Sequence, residues 1–269
     1  MRGLFVTGTD TGVGKTIVSA ALLAAMRSAG ERPRAYKPVV TGLDELPSPG
    51  SEAWPRDHEL LGAMAGMDPA LVSPISYGPA VSPHLAAELA GERITRKRLL
   101  AGARLAAGSE APGPLGAASS EERGPTVVAG SEAPGPLGAA SSESPGPLVV
   151  EGVGGLLVPL NEEWTVCDLA VALALPVLIV ARPGLGTINH TLLTLRVARE
   201  AGLEVRAVVL TPWPAEPSRL ELSNRETIAR IGAVEVSVLG HVAGPDPEQL
   251  ASAGSRLAWR RWLGGGLLV

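Results

Sequence analysis

The residues of this chain whose types and spacing best suit chemistry are Gly12, Gly14, Lys15 and Thr16, which close the run Val6-Thr7-Gly8-Thr9-Asp10-Thr11-Gly12-Val13-Gly14-Lys15-Thr16. Small residues free successive backbone N–H groups to point at phosphate oxygens, and a helix starting at the same place adds the positive end of its dipole. A lysine directly after the last glycine reaches the outer phosphates, and the hydroxyl beside it suits Mg²⁺. The expected ligand is an ATP-type nucleotide. The run is one residue longer than G-x-x-x-x-G-K-[ST], with Thr9 where the first glycine would stand and Gly8 one position earlier. The competing reading, a plain strand-to-helix turn punctuated by Gly12 and Gly14, leaves Lys15-Thr16 without a purpose.

Two further candidates lie at the ends of apolar runs. Lys37 stands near the carboxyl end of a strand predicted over 33–40, where a parallel sheet would put it in the ligand crevice beside the phosphate loop; a surface lysine at a strand end is the plainer alternative. Glu151 follows Leu148-Val149-Val150, the pattern of a buried parallel strand with its functional residue at the carboxyl edge. A buried carboxylate is costly without a cation, so Glu151 calls for a metal or a lysine partner. Asp57 opens a helical pattern in the N-cap position, which is reason enough for its presence.

The elements that must position these residues alternate along the chain. A short apolar run over 4–6 leads into an alanine-rich helical pattern over 17–29, and residues 43–55, rich in Pro, Ser and Glu, read as a mobile loop. Helices are predicted over 166–173, 188–201 and 219–231, and strands over 177–181, 205–210 and 236–241. This alternation implies an α/β fold, a doubly wound, mainly parallel sheet with helices on both faces and right-handed crossovers. With 269 residues and 45% hydrophobic content, one domain spanning 1–269 can bury a sizeable core. The amphipathic stretch 256–262 reads as a docked terminal helix rather than a membrane contact.

Composition narrows the class. A net charge of −4 without a Lys/Arg block argues against nucleic acid. No basic-then-apolar leader and no run of about 18 apolar residues occurs, so neither secretion nor a membrane partner is expected. Cys167 is the single cysteine, which rules out an intrachain disulfide and favours the cytoplasm.

The composition changes abruptly at about 107–146. The fifteen residues from Ala107 to Glu121 recur identically from Ala129 to Glu143, a tandem repeat of period 22. The repeat continues in decayed form: Gly124-Pro125-Thr126-Val127-Val128-Ala129-Gly130 aligns with Gly146-Pro147-Leu148-Val149-Val150-Glu151-Gly152. Two Pro-, Gly- and Ser-rich copies bury too little to form a solenoid, so the segment reads as a surface insertion. Only the second copy ends in a glutamate before Gly-x-Gly-Gly, which predicts that Leu148 to Glu151 takes the sheet position.

The motifs TGTDTGVGKT at 7–16, YKPV at 36–39, Ser82-Pro83-His84, EGVGGLLVPL at 151–160 and GTINH at 186–190 occur in the order found in the dethiobiotin synthetases of biotin biosynthesis, and over most of 1–210 the chain resembles that family. The resemblance implies a P-loop NTPase-like fold and a cyclo-ligase that joins CO₂ to 7,8-diaminononanoate at the expense of ATP, with Mg²⁺, in a homodimer. It implies phosphate binding by Gly12, Val13, Gly14, Lys15 and Thr16. Further nucleotide contacts would come from Ile17, Asp57, Glu151, Gly152, Val153, Gly154, Thr211 and Pro212. Thr16, Asp57 and Glu151 would hold the metal, Lys37 and Lys15 would act on the reacting groups, and Thr11, Thr41, Gly186 and Asn189 would meet the substrate. His84 matches the family without an evident role. Two departures stand out: Gly12 replaces an acid found in some members, and Thr211-Pro212-Trp213-Pro214 stands where an asparagine often reads adenine. Proline has no N–H and threonine cannot make a bidentate amide contact, so another nucleoside triphosphate is also admissible.

Two other protein classes share the phosphate loop. A partitioning-type ATPase switch would carry an additional lysine early in the loop, where this chain has Thr9-Asp10-Thr11-Gly12-Val13. An amidoligase of the cobyrinate type would need a nucleophilic cysteine, and Cys167 lies in an apolar helical pattern.

Overall fold

A computed structural model describes residues 2–45, 54–108 and 146–263. Six strands form one sheet: β1 (Gly3–Gly8), β2 (Arg34–Tyr36), β3 (Leu148–Gly155), β4 (Val177–Ala181), β5 (Val205–Trp213) and β6 (Glu235–Gly240). Their order is β2-β3-β1-β4-β5-β6 and every pairing is parallel. Leu148 to Glu151, at the end of the second copy, occupies the sheet as expected, with Val6 opposite Glu151 and Tyr36 opposite Val150. The first copy and most of the insertion, 109–145, lie outside the described residues, as do 46–53 of the predicted loop.

Helices cover both faces. In chain order they are α1 (Lys15–Ser28), α2 (Asp57–Ala65), α3 (Pro69–Val72), α4 (Pro83–Leu89), α5 (Arg96–Ala106), α6 (Val166–Leu173), α7 (Thr187–Glu200), α8 (Arg219–Gly232), α9 (Pro247–Ser255) and α10 (Trp259–Trp262). Because strand side chains alternate, each central strand feeds two cores. Leu4, Val6, Val149, Leu178, Val180 and Val209 pack under α1, α2, α9 and α10. Phe5, Leu148, Val150, Val177, Ile179 and Val208 pack under α5, α6, α7 and α8. Local chemistry agrees with this layout: Thr165 with Asp168 and Ser218 with Glu221 form capping boxes that start α6 and α8. At Gly254 of α9 a Cβ would lie 2.0 Å from the Ala21 carbonyl oxygen, so only glycine lets α9 and α1 approach this closely.

Several expectations change. The second strand is three residues long rather than 33–40: Pro38 has no N–H to give, Lys37 N–H donates to the Val72 carbonyl, and Val40 makes only an isolated bridge to Ser76. β3 also separates β2 from β1, so Lys37 is not next to the phosphate loop along the sheet. β5 continues through Thr211-Pro212 to Trp213, past its predicted end. Of the terminal stretch 256–262 only α10, Trp259–Trp262, is helical, and it is docked as expected, with Trp259 and Trp262 buried against the α1 side of the sheet. No described helix is long and apolar enough to cross a membrane.

Candidate active site

The loop from β1 to α1 is built as the glycine spacing requires. Gly12 and Gly14 adopt φ of 67° and 96°, the left-handed region that a side chain would strain, and Gly14 is the residue from which α1 departs. Thr9 N–H donates to the Val180 carbonyl and Thr11 N–H to Asp10 Oδ1, which fixes the loop against β4 and within itself. Lys15 is buried, and its ammonium donates to the Asp10 carbonyl at 2.8 Å. Desolvation lowers its pKa to about 8, with Glu151 opposing and Lys37 reinforcing that change.

Three other elements bring charge to the head of this loop. Lys37, just past β2, donates to Asp57 Oδ2 at 2.5 Å and to Glu151 Oε1 at 2.6 Å. The Thr16 hydroxyl donates to the same Glu151 oxygen at 2.9 Å. Burial works against the Lys37 ammonium, but the two carboxylates outweigh it and its pKa is raised. Burial likewise works to raise the Asp57 pKa, yet the Lys37 ammonium, helped by Thr16, holds it below the usual carboxylate range. Glu151 is fully buried, so the lysine partner anticipated for it is present. Asp57 is not the cap of its helix. Arg56 takes that place, its N–H donating to Glu59, and Asp57 is left at the first helical position to face Lys37.

The residues suit a Mg²⁺ ion. Glu151 Oε2 is buried without a partner, a lone-pair donor with nothing to receive it, and Thr16 Oγ1 and Asp57 supply further oxygens, the donor type a hard cation prefers. Among the described residues no three or more His, Cys, Asp or Glu side chains are grouped so as to hold a metal ion by themselves. A metal here would therefore draw on the hydroxyl and on phosphate oxygens besides the two carboxylates.

A cleft of about 700 Å³ opens over this group. Thr11, Gly12, Gly14, Lys15, Thr16, Ile17, Lys37, Thr41, Asp57, Val153 and Gly154 all line it. Val13 and Gly152 do not line it: Val13 is buried with its Cγ2 against Gly8, and a Cβ at Gly152 would meet Val166 at 3.0 Å. Ser82 and Pro83 reach the cleft while His84 is exposed outside it. Glu45 and Val81 line it without having been singled out; neither lies in a motif, and only the chain's path brings them there, while Val158, inside the motif at 151–160, lines it without having been given a role. Thr211 touches the loop from β5, a Cβ at Gly14 falling 2.7 Å from its Cγ2. Pro212 lies farther along, in a second cavity of about 1340 Å³ shared with Trp213, His241, Asp246 and Arg256. Gly186 and Asn189 are exposed at the start of α7 and reach neither cavity.

A parallel α/β sheet with a glycine-turned loop ending in Lys15-Thr16 at the carboxyl edge of a central strand defines a phosphate-loop nucleotide-binding protein. A family model described as an AAA domain matches residues 2–250. Proteins named ATP-dependent dethiobiotin synthetase BioD are similar over nearly the whole chain. The one from Anaeromyxobacter sp. (strain Fw109-5) is 39% identical over 248 residues, 87% of this chain and 91% of that protein. The one from Mycobacterium sp. (strain KMS) is 35% identical over 267 residues, 98% and 99% respectively, and the one from Bacillus subtilis (strain 168) is 31% identical over 238 residues, 88% and 85%. The chain belongs to the ATP-dependent dethiobiotin synthetase family. A ParA family ATPase from Chlorobium tepidum TLS aligns with a TM-score of 0.46 and 12% identity over 97% of this chain and 94% of that one, a likeness too slight to reason from.

Proposed function

We propose that this chain carries out the ATP-dependent carboxylation and ring closure of 7,8-diaminononanoate, releasing dethiobiotin, ADP and phosphate. The observation that carries the reading is the convergence of Lys15, Thr16, Lys37, Asp57 and Glu151 at one end of the phosphate-loop cleft. One amine adds to CO₂ and loses a proton to give a carbamate. A carbamate oxygen attacks the γ-phosphorus and ADP leaves; the second amine then attacks the carbonyl carbon, expels phosphate and loses its own proton. Each step gathers anionic oxygens in one place, so cations fixed in advance lower the barrier. Lys15 faces the transferring phosphoryl group, and Lys37, bonded to the same Glu151 oxygen as Thr16, faces the carbamate. Thr11 and Thr41 hold the diamine from the cleft wall. Bound by Thr16, Asp57 and Glu151, Mg²⁺ would supply charge neutralisation to the β- and γ-phosphate oxygens.

The chain forms one P-loop domain, a reading supported by α5 and β3, which flank the repeat segment and both pack in the sheet's own layers. A homodimer accounts for Gly186 and Asn189: exposed at the N-terminus of α7, they offer free N–H groups to the carboxylate of substrate bound in a partner copy. Light scattering on the active enzyme is expected to give the dimer mass, and an active monomer would refute that arrangement. A lone, buried Cys167 fits the reducing cytoplasm. Thr211-Pro212 lacks an amide side chain to read adenine, so other nucleoside triphosphates are expected to support turnover. The decisive experiment is incubation with 7,8-diaminononanoate, bicarbonate, Mg²⁺ and ATP, followed by product mass. Absence of dethiobiotin would overturn the reading.

A further inference from the structure

Arg182 is a cation that the reaction just described does not use. It directly follows β4, the neighbour of β1, so the sheet delivers it to the carboxyl edge beside the phosphate loop. One guanidinium nitrogen, Nη2, donates to the Gly12 carbonyl at 3.1 Å. A Cβ on residue 12 would lie 3.2 Å from that nitrogen, so the arginine fills the space that glycine leaves. Among the described residues no carboxylate pairs with Arg182, and the Gly12 carbonyl is its one hydrogen-bond partner.

The chain on either side of this contact is held. Asn224 of α8, 5% exposed, donates from Nδ2 to the carbonyls of Pro183 at 2.9 Å and Gly184 at 3.2 Å. A buried amide serving two successive carbonyls fixes the turn that follows Arg182. On the other side, the Thr9 N–H bond to Val180 ties the start of the phosphate loop to the end of β4. The loop is thus held at its start by β4 and at its tip by the residue after β4.

The consequence comes from peptide geometry. The C=O of Gly12 and the N–H of Val13 belong to one planar trans peptide and point in opposite directions. By engaging the first, Arg182 sets the direction of the second. Gly12, at φ 67°, has the freedom to let that peptide turn over, and the turned-over form would exchange the places of the donor and the carbonyl oxygen. We propose that Arg182 is a positioning residue for phosphoryl transfer, locking the peptide between Gly12 and Val13 in the orientation that receives the nucleotide's phosphates. This rests on the nucleotide reading of the loop.

The test compares wild type with Arg182→Ala and Arg182→Lys. The readouts are kcat, KM for each substrate, the Kd of a non-hydrolysable ATP analogue with Mg²⁺, and melting temperature. For Arg182→Ala, kcat is expected to fall and Kd to rise about tenfold each, the worth of one charge-assisted hydrogen bond, with an unchanged KM for the diamine and an unchanged melting temperature. Arg182→Lys keeps a charged donor and should return to within about threefold of wild type. Because Arg182 is exposed, free guanidinium at millimolar concentration should restore part of the lost rate in Arg182→Ala, whereas sodium chloride at equal ionic strength should not. If Arg182→Ala keeps both kcat and Kd within about threefold of wild type, or loses them in a way that neither lysine nor guanidinium repairs, the proposal is overturned. A wild-type protein that binds the analogue but yields no dethiobiotin would refute the reaction instead, and the Kd comparison would still decide the role of Arg182.

Discussion

Replacing Lys37 with methionine removes a charge while keeping most of the side chain's volume, and it should expose a conflict between stability and turnover. In the native protein the ammonium lies 2.5 Å from Asp57 Oδ2 and 2.6 Å from Glu151 Oε1. Without it Glu151 is a fully buried carboxylate with only the Thr16 hydroxyl to accept from. Breaking a buried pair costs about 3–5 kcal/mol. The lower end applies here, because the Asp57 side chain is 45% exposed and can hydrate. A loss of about 3 kcal/mol corresponds to a melting temperature about 6–12 °C lower. Urea unfolding read by the fluorescence of the five tryptophans measures it directly. Mg²⁺ can neutralise the same oxygens, so it should stabilise Lys37→Met more than wild type. In the double variant Lys37→Met/Glu151→Gln, where neither partner is charged, much of the lost stability should return. Turnover should stay down by on the order of 10² to 10³ in both variants, since the cation at the carbamate is gone. A Lys37→Met protein that unfolds at the wild-type urea concentration and keeps its kcat would show that the lysine is neither a buried counter-ion nor part of the chemistry.

Three other expectations can be checked with standard assays. Lys15 titrates near 8, and phosphate binding favours its ammonium form; affinity for Mg·ATP should therefore be level below that pH and fall above it, approaching about tenfold per unit. Lys15→Arg should flatten this profile, and an unchanged wild-type affinity up to pH 10 would contradict the assignment. Gly254→Ala forces a methyl into the Ala21 carbonyl and should destabilise by about 3 kcal/mol in a urea titration, with a wild-type midpoint the contrary result. Deleting residues 108–129 removes the first repeat copy and shortens a loop whose closure changes by only about 0.6 kcal/mol; the enzyme should remain folded and active, and an insoluble product would mean that the first copy is needed.

The sheet was legible because its strands are short apolar runs and its later helices are strongly periodic: α6 and β4 fall on the predicted residues, and α7, α8 and β6 begin and end within one residue of them. The site was legible where chemistry demanded a residue type at a fixed offset, as in Gly14-Lys15-Thr16, or an anomaly, as in Glu151 after three apolar residues. Failures came where tertiary contact overrode local pattern. Pro38 cut β2 short, and α3, α4 and α9 begin with proline in stretches without clear periodicity. Asp57 was misassigned as a cap because a capping aspartate and a site-facing aspartate at the next position look alike in sequence. Arg182 and Asn224 went unnoticed since both act on backbone carbonyls, and no spacing rule reports which carbonyl a long side chain will find.

The strand order has a consequence for synthesis on the ribosome. β1 and β2 emerge early, but they are not neighbours: each pairs with β3, and among the described residues β2 has no other strand to join. Roughly 120 residues separate the end of β2 from the end of β3, so at 5–20 residues per second the nascent chain waits about 6–24 s with two apolar strands unpaired. The duplicated 22 residues lengthen that wait by about a fifth. A tandem copy with little thermodynamic effect on the finished fold thus prolongs the interval in which a chaperone, or another nascent chain, can reach β1 before β3 does.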